Sequence, residues 1–230
     1  YQHALWYARE RVQGKIIGDK SNEKKTILHH PDVRRMLMDI KSRTEAMRTL
    51  AYYSAANIDR AHAGDAAAQS RVDLLTPVVK GWSTESAVDI ASIGVQVHGG
   101  MGYIEETGAA QHLRDARITA IYEGTTAIQA NDLIGRKIAR EQGATIKGII
   151  AEMRAAVSQL NGDLVAVGVR QSAAIDALEK AVFWIVANFS TEPKAVHAGA
   201  VPFLNLFGVV AGGWQMGRAA VMARARIAAG

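Results

Sequence analysis

Two apolar patterns of helical period, one from Pro31 to near Gly64 and one from about Ala66 to His98, follow each other with a single short turn between them. In the first, Val33, Leu37, Ile40, Met47, Ala51, Ser54 and Ile58 recur at three- and four-residue steps, with one turn skipped at Thr44. In the second, Val72, Leu75, Val79 and Trp82 do the same. Such steps place side chains on one face of an α-helix. Pro31 suits a first helical turn, where its missing N–H is no loss, and Gly64 suits a C-terminal stop. Two long helices joined so tightly form an antiparallel pair. Pro77 either kinks the second helix or marks its true first turn.

The other segments are shorter. Tyr1–Gln13 reads as the tail of a helix stopped by Gly14, Lys15–His30 as a polar loop, and Gly99-Gly100-Met101-Gly102 as the end of the second long helix. Thr107–Arg117 and Thr125–Glu141 each read as a further helix. An antiparallel four-helix bundle is the architecture this order implies. Gln142-Gly143-Ala144 marks a boundary, giving a bundle domain over 1–142 and an additional helical extension over 143–230. The extension carries helical patterns at Ile146–Leu160, Arg170–Asn188 and Ala195–Ala229. No strand pattern is visible. An apolar share of 49% with only 4 prolines agrees with an all-α fold and an ample core. The chain opens on a helix already under way and closes on one cut near its end, so a piece of a longer protein, with the extension truncated, is expected.

Composition narrows the chemistry. There are no cysteines, hence neither a disulfide framework nor thiolate catalysis, and a reducing cytoplasm is the expected location. The net charge of +5 comes from scattered Lys and Arg, which can attract phosphate groups. The apolar stretch Val201–Trp214 contains Pro202 and Asn205 and falls short of the ~20 residues a membrane span needs, so it reads as a buried helix. No pair of histidines or carboxylates has metal-ligand spacing, and no metal is expected.

Two motifs carry chemistry. In Ile121-Tyr122-Glu123-Gly124-Thr125-Thr126 a carboxylate stands between an aromatic ring and a glycine. If its apolar neighbours bury it, desolvation disfavours the charged form and raises its pKa, as a base for a weakly acidic carbon proton requires. Gly124 permits close approach of a ligand to the backbone, and the threonines supply hydroxyls. Upstream, Gln96-Val97-His98-Gly99-Gly100-Met101-Gly102-Tyr103 joins an amide side chain to a glycine-rich turn. Alone, the first is an ordinary loop carboxylate and the second an ordinary helix end.

Together the two segments resemble, in order and spacing, the Gln-x-x-Gly-Gly-x-Gly-Tyr and Ile-Tyr-Glu-Gly-Thr motifs of the C-terminal helical domain of flavin-dependent acyl-CoA dehydrogenases. The resemblance covers about Tyr1 to Arg140. It implies oxidation of an acyl-CoA to the trans-2-enoyl-CoA, with FAD as hydride acceptor and an electron-transfer flavoprotein as redox partner. It casts Glu123 as the base, Tyr122 and Gly124 as the border of the bound thioester, and Gln96, Gly99, Gly100, Thr125 and Thr126 as flavin contacts. Arg11 takes the family's pyrophosphate-binding position, although the family's Phe is missing from Val12-Gln13-Gly14-Lys15 and one residue is lost there. Ala127 replaces a frequent Gln. Arg114-Asp115 matches a structural pair. The extension resembles that of a longer subgroup, the methylmercaptopropionyl-CoA dehydrogenase-like enzymes. The family implies a homo-oligomer, dimer or tetramer. The chain by itself, lacking the flavin-holding β domain, is expected to be inactive and free of FAD. A flavin-containing relative that binds nucleic acid, or a domain serving mainly assembly, is the alternative.

Overall fold

The computed structural model describes residues 1–21 and 23–230. The described residues are all-α: α1 (Gln2–Glu10), α2 (Pro31–His62), α3 (Ala66–His98), α4 (Gly100–Tyr103), α5 (Ala109–Thr119), α6 (Thr126–Asp132), α7 (Ala144–Val157), α8 (Val165–Asn188), α9 (Pro193–Ala198) and α10 (Ala200–Ala228). Short 3-10 turns stand at Ile27–His29, Glu105–Thr107 and Gly162–Leu164, and a π-helical segment, Leu133–Ala139, follows α6. Gly64, at φ +96°, closes the turn between α2 and α3. Pro77 lies inside α3, which excludes the first-turn alternative.

The chain divides into two compact units, and α2 and α3 each contribute to both. The first unit is Tyr1–Glu45 with Thr84–Tyr122. Its core joins Ala4 and Ala8 of α1, Ile27, and Met36, Leu37 and Ile40 of α2 to Val97 of α3. The helix expected to reach Gln13 ends at Glu10. There the backbone turns extended, Val12 pairs with Thr26, and the Ile27 N–H donates to the Arg11 carbonyl at 2.7 Å, so the chain leaves the helical path to satisfy its polar groups elsewhere. In the following loop, Lys25 and the Ser21 amide hold the Asp19 carboxyl down to about 2.

The second unit is Ala46–Ser83 with Glu123–Gly230. Its core takes Leu50, Leu74, Leu75 and Trp82 from the long helices, Leu133, Ile134 and Ile138 from the π segment, and Ile146, Ile149, Ile175, Leu178, Leu204 and Phe207 from beyond Gln142. Residues on both sides of the Gln142–Gly143 turn thus share one core. Complete burial of each aliphatic side chain contributes about 1.5–3 kcal/mol. In this unit the stripe on α2 agrees only at Ser54, which is buried as expected; Ala46, Leu50 and Asn57 are buried where Met47, Ala51 and Ile58 were expected, and Ile58 is 40% exposed. A one-residue shift rotates the buried face by about 100°.

Tight packing of α10 against α3 decides the middle of this core. A Cβ at Gly208 would lie 2.1 Å from Trp82 Cγ, and one at Gly212 2.7 Å from Trp82 Cη2, so the two glycines form a groove occupied by the indole. Leu204 packs over Gly81 in the same way. Polar ties reinforce the unit: Gln171 donates to the Val210 carbonyl at 3.0 Å, and Arg71 of α3 is paired with Glu152 of α7, which also accepts from the Tyr53 hydroxyl. Among the described residues no helix is long and apolar enough to cross a membrane, and Val201–Trp214 is part of α10.

Candidate functional site

The residues between α5 and α6 form a tight, unusual turn. Tyr122 N–H still donates to the Ile118 carbonyl at 3.1 Å. Glu123 then takes φ +51° and Gly124 φ +89°. A left-handed conformation costs a residue with a Cβ on the order of 1–2 kcal/mol, and such strain persists only where surrounding structure over-determines it. Side chains grip both carbonyls of the turn. Lys80 Nζ donates to the Gly124 oxygen at 2.6 Å, and Gln129 Nε2 donates to the Glu123 oxygen at 3.4 Å. Thr125 is the residue before α6, extended at φ −60° and ψ 165°, with an exposed side chain. Thr126 is 7% exposed.

The burial expected of Glu123 is not found. Its side chain is exposed. The apolar residues near it in sequence are themselves open to solvent, Ile121 at 45%, Tyr122 at 50% and Ile128 at 58%, so none of them closes over the carboxylate. Apolar neighbours in sequence are therefore no guarantee of an apolar environment.

The glycine-rich turn at the end of α3 lies in the first unit. Gly99 breaks the helix at φ +61°, and α4 adds one more turn. Gly99 and Gly100 face open space, with no atom within 4 Å of where a Cβ would stand. Gly102 differs: a Cβ there would lie 2.3 Å from the Val95 carbonyl oxygen and 2.9 Å from His98 Cβ. Gln96 is exposed on the last turn of α3. Arg11 is also exposed, its guanidinium donating to Gln13 Oε1 at 3.2 and 3.3 Å, and it lines a groove of about 430 Å3 with Trp6, His98, Glu106 and Thr107. The structure thus brings Arg11 to the end of α3. Arg114 forks onto the Glu105 carboxylate, with one N···O distance of 2.9 Å, and Asp115 accepts from Gln111, so the pair is tied up in local structure.

His98 is 4% exposed; its Nδ1 is 2.7 Å from the Gly94 carbonyl, and its ring lies 4.6 Å from that of His3 and 4.4 Å from that of Tyr7. His3, His98 and His112 line a pocket of about 380 Å3 whose remaining wall is largely alanine. Burial first, then the charges of His98 and His112, hold His3 below the ordinary imidazole value. Sequence reading missed this grouping because its members come from α1, α3 and α5. Among the described residues no cluster of three or more His, Cys, Asp or Glu is placed to hold a metal ion.

Arg35, Arg43, Arg60, Arg114 and Arg154 are each ion-paired with carboxylates, which leaves the nucleic-acid alternative without support.

Residues 1–139 match the acyl-CoA dehydrogenase C-terminal domain. The chain belongs to the acyl-CoA dehydrogenase family. Residues 144–230 match a second domain of this family of proteins, described as acetyl-CoA dehydrogenase C-terminal like. Over its whole length this chain is 46% identical to the 3-methylmercaptopropionyl-CoA dehydrogenase of Ruegeria pomeroyi and 35% identical to the broad-specificity linear acyl-CoA dehydrogenase FadE5 of Mycobacterium tuberculosis. It spans 40% of the length of each. Its fold matches Caenorhabditis elegans ACDH-11, solved in complex with C11-CoA, with a TM-score of 0.76 at 22% identity, over 92% of this chain and 35% of that one.

Proposed function

We propose that this chain is the C-terminal helical portion of an enzyme that oxidises an acyl-CoA thioester to the trans-2-enoyl-CoA, with Glu123 as the base. The observation that carries the reading is the turn itself. A glutamate in a strained left-handed conformation, gripped on both sides and presented at the surface, is expensive to maintain for a residue of no use.

In the reaction, the Glu123 carboxylate takes the proton alpha to the thioester carbonyl, the beta carbon gives up a hydrogen with its electron pair, and the double bond forms between the two carbons. FAD, when bound, supplies the acceptor for that hydride. The residues present fit such a group. Gly99 and Gly100 leave their backbone bare toward open space, the Arg11 fork suits a pyrophosphate, and Gln96 offers an amide donor and acceptor. In this reading Thr125 and Thr126 are flavin contacts of their own, and Tyr122 and Gly124 border the thioester. These contacts are partial, so the isolated chain is expected to be inactive and to carry no FAD. The remaining parts of the reading are a bundle domain over 1–142 with an extension over 143–230, electron transfer to an electron-transfer flavoprotein, homo-oligomeric assembly and a cytoplasmic location.

The test is Glu123→Gln in the full-length enzyme, assayed for acyl-CoA turnover with an artificial electron acceptor. The amide keeps the shape but cannot accept the proton. A positioned base contributes about 100- to 10,000-fold, and a loss of that order is expected, with flavin retained. Near-normal turnover with flavin in place would return Glu123 to a structural role.

A further inference from the structure

We infer that Lys80 is the positioning residue for Glu123, acting through the Gly124 carbonyl. The inference rests on the reading of Glu123 as the base. Glu123 and Gly124 occupy two successive positive-φ conformations, at +51° and +89°, and the direction in which the carboxylate leaves the backbone depends on both. A turn of this kind is free to relax toward ordinary backbone unless its peptide groups are held. The Gly124 carbonyl is held at 2.6 Å by the Lys80 ammonium, a charged donor and hence a stronger clamp than a neutral one. The Glu123 carbonyl has the longer contact, 3.4 Å from Gln129 Nε2.

What makes Lys80 suitable is the rigidity beneath it. It is half-buried on α3, immediately before Gly81 and Trp82. Leu204 of α10 packs onto Gly81, and the Trp82 indole is seated in the groove formed by Gly208 and Gly212. The helical turn that carries Lys80 is therefore fixed by the core of the second unit. A side chain rooted in that core reaches across 44 positions of sequence to the loop that bears the base. This gives the extension beyond residue 142 a part in the chemistry: α10 sets Lys80, and Lys80 sets the turn. Lys80 donates no proton and touches no substrate in this scheme.

The experiment uses the full-length, flavin-loaded enzyme. Flavin reduction by saturating acyl-CoA is followed anaerobically in a stopped-flow instrument for wild type, Lys80→Met, Lys80→Arg and Glu123→Gln, with flavin content and Tm measured for each. A misplacement of about 1 Å at a reacting group costs about 100-fold. Lys80→Met is expected to slow reduction by about 10- to 100-fold at unchanged flavin content and nearly unchanged KM, and Lys80→Arg, which keeps a charged donor, to recover most of the rate. The idea is overturned if Lys80→Met reduces its flavin at the wild-type rate, if Lys80→Arg is as slow as Lys80→Met, or if the loss follows flavin content or Tm. Should Lys80→Met fail to fold, the rate of the folded Lys80→Arg variant decides between a clamp and a mere scaffold: a rate near wild type supports the clamp, and a rate as low as that of Glu123→Gln refutes it. Fast reduction by Glu123→Gln removes the base and this inference together. A slow Glu123→Gln beside a fast Lys80→Met removes the inference alone.

Discussion

Adding one methyl group at Gly208 tests the packing that holds α3 to α10. The new Cβ would stand 2.1 Å from Trp82 Cγ, 2.5 Å from Cδ2 and 2.6 Å from Cβ. Carbon atoms pack at about 3.5–4.0 Å. The clashing atoms include the root of the Trp82 side chain, so no rotamer change relieves them and one helix must move away from the other. Overpacking of this kind costs about 1–3 kcal/mol, and the geometry puts Gly208→Ala at the upper end. The change from glycine to alanine within a helix returns about 1 kcal/mol. A net loss of about 2 kcal/mol remains, which for a chain of this size lowers Tm by about 4–8 °C. Gly148→Ala in α7 is the control: its Cβ meets nothing within 4 Å, so only the helix term acts and Tm should rise by about 2–4 °C. Thermal unfolding followed by circular dichroism reads both. In the double variant Gly208→Ala with Trp82→Leu, the two costs should fall short of additivity by about 1 kcal/mol or more, because the smaller side chain vacates the space the methyl needs. A Gly208→Ala variant as stable as Gly148→Ala, or strict additivity in the double variant, would refute the argument.

Two further outcomes concern the exposed apolar side chains and the titration of His3. Tyr52 is 70% exposed, Met38 65%, Tyr103 84% and Phe183 75%; large side chains such as these gain by being covered, so the chain should self-associate, and a clean monomer by light scattering at micromolar concentration would contradict this. His3 has a folded-state pKa below the ordinary 6.5, so the unfolded chain binds its proton more readily, and stability is lost as pH falls through that range. Tm should drop between about pH 7 and about pH 5, and His3→Gln should flatten the drop; an unchanged slope in His3→Gln would exclude His3 as its source.

Local rules carried the reading of the sequence a long way where the signal was local. Helices α2 and α3 begin and end as Pro31, Gly64 and the Gly99 turn dictate, since caps and breakers act on neighbouring backbone. Periodicity erred where a single helix serves two cores. The stripe of α2 follows the expected positions at Leu37 and Ile40 and again at Ser54, but at Ala46, Leu50 and Asn57 the buried residue is the one before the expected position, and no pattern within the helix announces a change of partner. The extended run at Arg11–Val12 was hidden for the same reason: its partner, Thr26, lies across a loop. At the candidate site, the motif identified the turn but not its conformation or exposure. Of the three motif glycines, sequence reading gave roles to Gly99 and Gly100, which face open space, whereas Gly102 is the one its own neighbours forbid to carry a side chain. Lys80 was out of reach, because a contact spanning 44 residues leaves no trace in spacing.

The π-helical segment Leu133–Ala139 has a consequence for reading relatives of this chain. Its hydrogen bonding steps back five residues, as in Arg140 N–H to the Gly135 carbonyl at 3.2 Å and Gly143 N–H to the Ile138 carbonyl at 2.9 Å. Positions five apart then fall on one side, and Leu133 with Ile138, and Ile134 with Ala139, are all buried. An ordinary α-helix would need one residue fewer to bring the same chain to the same place. A homologue lacking a residue here should keep the neighbouring helices in phase simply by reverting to α-helical turns, whereas a homologue lacking one in α10 would turn Gly208 and Gly212 away from Trp82 by about 100°. Alignment gaps belong in the former stretch and not in the latter.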